Sequence, residues 1–156
     1  MISDNSKRSV PSRFTPEVKL FYQDEYATIE LDESVPCVKL KLDGMPKSSE
    51  HYKLVQEKRM ELMHRESKRH KLLHMLTDSR KAGPVLDEDV EYFRKSVLPE
   101  MEQAGVRYLA IVNPTSLFTR LTVQEMTESA SLLTVRGFDS VREAREWLKS
   151  KSPELL

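Results

Sequence analysis

A chain of 156 residues is long enough to bury one core and too short for two domains of ordinary size. Lys+Arg and Asp+Glu stand at 25 each, so no net field draws the protein to nucleic acid or to an anionic membrane. One cysteine excludes an intramolecular disulfide and fits a cytoplasmic setting, and no apolar run approaches the roughly 18 residues of a membrane helix.

Residues 1–17 hold four serines, two prolines and scattered cations with little that could pack, and are expected to be a disordered tail. From Val18 the character changes. Tyr26–Leu31 and Val38–Leu42 alternate apolar and polar residues, the period of strands with one wet face. Asp32–Pro36 supplies the turn of an antiparallel hairpin, with Lys39 and Lys41 facing solvent and Cys37 inert in an apolar pattern.

Ser48–His70 is predicted helical, with Ser48 or Ser49 as cap and Tyr52, Val55, Arg59, Leu62 and Met63 as its inward stripe. Lys47–Lys71 holds eight Lys/Arg against four Glu, most simply a solvated basic face. His70 and His74 are four apart. His74 belongs to the next strand, however, and no further ligands complete a tetrahedral set, so no metal is expected.

Leu72–Leu76 reads as a buried strand that runs into a polar loop, Thr77–Pro84. Asp87–Gly105 follows as an amphipathic helix on Val90, Phe93, Val97, Met101 and Ala104, with acids at its start and Pro99 dividing or kinking it. Tyr108–Val112 is the most continuous β-type run and should be a central parallel strand. It ends in a second polar loop, Asn113–Ser116, expected beside the first. Leu117–Ser129 is weakly helical with Leu121, Met126 and Ala130 inward, and Leu132–Arg136 is a short strand. Ser140–Glu143 fits a capping box for a last helix packed through Val141, Ala144, Trp147 and Leu148.

This order predicts one α/β domain over 18–150: a mainly parallel sheet with an antiparallel N-terminal hairpin and helices packed on it, then a short tail at 151–156. In such sheets ligands and partners meet the loops at the carboxyl ends of the strands. The candidate site is therefore Asp78, Ser79, Arg80, Lys81, Asn113, Thr115 and Ser116, with Arg80 able to grip a carboxylate or phosphate.

Four segments together carry a family resemblance: Thr77–Pro84, Pro99 with Ala104-Gly105, Ala110–Pro114, and Phe138-Asp139-Ser140 with Glu143-Ala144 and Trp147-Leu148. Over about Leu20 to Lys149 the chain resembles the SpoIIAA-like proteins, the STAS and CRAL-TRIO-related group found in many bacteria. The resemblance implies a STAS-like sheet of four or five strands, no cofactor, and a non-enzymatic regulatory or binding role. STAS antagonists of anti-sigma factors are switched at a serine opening a helix. Here Leu86-Asp87-Glu88-Asp89 puts fixed negative charge in that place. CRAL-TRIO proteins hold lipids in an apolar pocket.

The implied partner is a protein or a small ligand, with a homodimer open. A lipid or apolar-ligand carrier is the alternative, with Met60, Met63, Met101 and Met126 lining its cavity. An enzyme would have to use His74 with Ser79 or Asp78, and strand alternation turns Ser79 away from His74.

Overall fold

The structure is a computed structural model and describes residues 18–153, so the expected tail at 1–17 lies outside the described residues. Six strands form one sheet: β1 (Val18–Gln23), β2 (Ala27–Asp32), β3 (Cys37–Gly44), β4 (His74–Ala82), β5 (Tyr108–Val112) and β6 (Thr134–Phe138). They lie side by side in chain order. β1–β2 and β2–β3 pair antiparallel, and the remaining three pairs are parallel. The expected α/β sheet with an antiparallel N-terminal hairpin is present, enlarged by a strand beyond the four or five implied. β1 breaks alternation at a register shift between Leu20 and Tyr22, and Leu20 is exposed on the edge, so the sequence carries no clean period there.

Helix α1 (Ser49–Ser67) joins β3 to β4, capped by Ser48, whose hydroxyl accepts from the His51 N–H at 3.1 Å. The next connection begins as α2 (Asp87–Tyr92), widens into a π-helical stretch over Phe93–Val97 and resumes as α3 (Leu98–Gln103). Pro99 lies in the first turn of α3, where its missing N–H is tolerated best, so the expected division falls just before it. Helix α4 (Leu117–Thr127) joins β5 to β6, and α5 (Val141–Lys151) closes the fold behind the Ser140 cap.

Strand alternation sorts the sheet into two faces. Ile29, Leu40, Met75, Leu109 and Ile111 pack with Val55, Leu62 and Met63 of α1, Phe93, Val97 and Met101 of the second connection, and Met126 of α4. The other face carries Cys37, Leu76, Ala110 and Val112 beneath Ala144 and Leu148 of α5. Three side chains depart from expectation. Leu121 is exposed rather than inward, joining exposed Leu117 and Phe118 on the outer side of α4. Trp147 is only half-buried, against Tyr108 and Phe138. Lys151, expected in the C-terminal tail, still belongs to α5, Ser152 beyond it is buried, and residues 154–156 lie outside the described residues.

The main correction concerns β4. The strand runs from His74 to Ala82 and includes the residues read as a loop. Thr77 and Ser79 face the α1 side, while Asp78 and Arg80 face the other way, and β4 pairs through Asp78 with Lys41 on one flank and Val112 on the other. Among the described residues no helix is long and apolar enough to cross a membrane.

Candidate functional site

The polar residues of β4 mark where the core stops. Between the sheet and its larger helical layer lies a cavity of about 250 Å³. Leu40 and Leu42 of β3, Thr77 and Ser79 of β4, and Leu109 and Ile111 of β5 form its sheet side. Tyr52, Gln56 and Arg59 of α1 form one wall, Asp89 and Phe93 a second, and Thr119, Val123 and Met126 of α4 a third. Met60, Met63 and Met101 do not line it, and pack instead in the solid core. Of the four methionines expected there, only Met126 reaches the cavity.

Two loops at the carboxyl edge of the parallel strands form the mouth. Gly44–Ser48 and Ala82–Leu86 both border the cavity, and each exposes an apolar side chain, Met45 or Leu86. Gly83 N–H donates to the Gly44 carbonyl at 2.9 Å and joins them. A Cβ on Gly83 would stand 2.9 Å from Met45 Cγ and 3.2 Å from the Gly44 carbonyl oxygen, so a larger residue there would have to displace the Met45 side chain and crowd the bridge. Gly44 has φ +75, the left-handed region.

The inner end is set by α1. Ser48, Tyr52, Gln56 and Arg59 follow at spacings of four, four and three, and all line the cavity. From Ser48 to Arg59 the helix rises about 16 Å, and β4 covers about the same span between Ala82 and Thr77. The lining of this channel thus extends from the mouth inward to the Arg59–Thr77 pair. Beyond it, Leu62 and Met63 are fully buried in the core.

Arg59 is 1% exposed. Its Nη2 donates to Thr77 Oγ1 at 2.5 Å, and its Nε has no hydrogen-bond partner. Among the described residues no carboxylate pairs with it. Burial pushes its pKa down to about 10, with the Tyr52 and Tyr26 hydroxyls opposing weakly, so it stays charged at neutral pH. Gln56 Oε1, also buried, has no partner either. Asp89 is buried near the mouth, where burial pushes its carboxyl up, Ser49 and Lys53 draw it down and Glu88 adds to the rise.

The residues singled out in the sequence do gather at the carboxyl edge, but on both faces of the sheet. Ser79 alone lines the cavity. Asp78 is gripped by Arg80, with Nε to Oδ1 at 2.9 Å and Nη2 to Oδ2 at 2.8 Å. Burial raises the Asp78 carboxyl, but the Arg80 bonds outweigh it and hold it below the usual range. Thr115 Oγ1 donates to the Arg80 carbonyl at 2.9 Å, so the two polar segments lie side by side as expected. Ser116 caps α4, Asn113 reaches Asp139 at 3.5 Å, and Lys81 is exposed.

Sequence reading missed Gln56 and Asp89 as cavity residues and placed Arg59 only as part of a packing stripe. The available signal was a cation in an otherwise inward, apolar stripe. Among the described residues no cluster of three or more His, Cys, Asp or Glu could hold a metal ion. No family model, curated protein or solved structure matches this chain.

Proposed function

We propose that this chain is a non-enzymatic, STAS-like binding module that holds a small, mainly apolar ligand between its sheet and its helices. The observation that carries this reading is the channel. Protein interiors pack nearly without voids, yet about 250 Å³ stands open here under the loops where α/β sheets commonly bind ligands. An apolar cavity of about 150 Å³ takes up benzene, so this one suits a molecule on the order of ten non-hydrogen atoms.

Binding is favoured over turnover by the placement of the one compact catalytic combination. His74 and Asp78 lie on the α5 side of β4, and Ser79 lies on the cavity side. The single buried cysteine supports a cytoplasmic setting. Recognition of a protein partner draws its support from α4, whose Leu117, Phe118 and Leu121 are exposed together.

Methyl NMR with 1-octanol as probe tests the small-ligand reading. Saturable shifts are expected at Ile111, Val123 and Met126, with Leu148 under α5 unmoved. Val123→Phe, which fills the channel, should abolish them while the remaining spectrum stays folded. Absence of saturable shifts in the wild-type protein would overturn the reading.

A further inference from the structure

We propose that the channel takes a linear monocarboxylate head first, with its carboxylate on Arg59 and its apolar chain running out to the Gly44–Gly83 mouth. This rests on the small-ligand reading and names the class of ligand.

The argument starts from the cost of an isolated charge. A buried guanidinium normally has an anion beside it, because desolvation is repaid only by pairing and hydrogen bonding. Arg59 has one hydroxyl, from Thr77, and an unpartnered Nε. Both Arg59 and Thr77 line the channel, so its open volume borders the guanidinium–hydroxyl pair. A carboxylate suits a planar fork with donors to spare, since it accepts two parallel N–H bonds.

The rest of the lining narrows the class. Lys47, the other channel-lining cation, is exposed at the mouth, so the inner end offers a single positive charge and matches a monoanion better than a dianion. Between the ends, Leu40, Leu109, Ile111, Phe93, Val123 and Met126 present apolar surface to a chain. The lining spans about 16 Å from the mouth to the Arg59–Thr77 pair, a reach that suits an unbranched chain of roughly eight carbons. The buried Asp89 carboxyl, which would repel an anion, stands at the mouth end beside Ser49 and Lys53.

Calorimetric titration with octanoate and 1-octanol, probes of equal chain length, tests the inference at neutral pH. Wild-type protein should bind octanoate about 30-fold or more tightly than octanol, the range seen for a buried charge pair. Arg59→Met should invert the preference, since the carboxylate would then lose water without gaining a partner. Arg59→Lys should bind octanoate at an intermediate strength, keeping the charge and losing the fork. Equal binding of both probes to the wild type would overturn the carboxylate assignment and leave the cavity reading intact. Failure of both probes to bind would overturn both. An unchanged preference in folded Arg59→Met would place the head group elsewhere and also defeat the inference.

Discussion

A single side chain concentrates the tension in this molecule. Arg59 keeps its charge with almost no exposed surface, and the hydroxyl of Thr77 is weak compensation. Arg59→Met retains much of the side chain's reach and removes the charge. It should therefore stabilise the ligand-free protein by about 1–3 kcal/mol, seen as a higher urea midpoint at unchanged slope. A lower midpoint would mean that the Thr77 bond and the packing of the arginine stem outweigh the buried charge. The position of Arg59 on the inward face was legible, since it falls between Val55 and Leu62 at helical spacing. Its isolation was not, because long cations on apolar stripes usually bend their heads out to water, and only the packed structure shows that this one does not.

Among the secondary-structure elements, β4 and the second connection show how polar groups are used. The polar run Thr77–Lys81 looked like a loop because a central strand ordinarily has apolar partners on both faces. Here one face borders the channel and the other meets Arg80 folded back on Asp78, so polarity and strand coexist. At the end of α3, Glu102 accepts from the N–H groups of Ser131, Leu132 and Leu133 at 2.9, 2.7 and 2.9 Å and fixes the approach to β6. Glu102→Ala should cost about 1–2 kcal/mol and raise hydrogen exchange across 128–133 before any other region. Uniform exchange across the fold would contradict an anchoring role. The capping serines Ser48, Ser116 and Ser140 lie at helix starts; the sequence pointed to Ser140 and narrowed the first cap to Ser48 or Ser49, since local hydrogen bonding sets them.

For the molecule as a whole, acid sensitivity follows from where its carboxylates are held. Burial pushes Asp24 up, but hydrogen bonds from Tyr22, His51, and the Ala27 and Tyr26 amides outweigh it and lower the group to about 2. A carboxyl whose folded pKa lies below its ordinary value of 3.8 stabilises the fold above that value and loses its contribution as pH falls through about 2. Glu102 acts with the same sign: its amide bonds outweigh burial and hold it below 4.5. Melting temperatures of wild type and Asp24→Asn should therefore differ most above about pH 4 and converge towards pH 2; a constant gap would remove Asp24 from the acid response. At this scale most of the succession of strands and helices was legible from apolar runs, periodicity and caps, as the continuous run Tyr108–Val112 and the capped helix Val141–Lys151 illustrate. The bulged edge strand β1 was hidden by its broken alternation. The channel was hidden because a void has no residues of its own.

The mouth of that channel is bridged by backbone, from the Gly83 amide to the Gly44 carbonyl. A gate built of side chains can be widened or narrowed by exchanging them, and its properties then drift together with those of the site behind it. Here the two are separable. Residues along the channel can change with the molecule it accommodates, while the bridge at its mouth is made by backbone groups, one of them on Gly44, whose left-handed φ other residues adopt only with strain. Selectivity and access can therefore evolve independently in this fold.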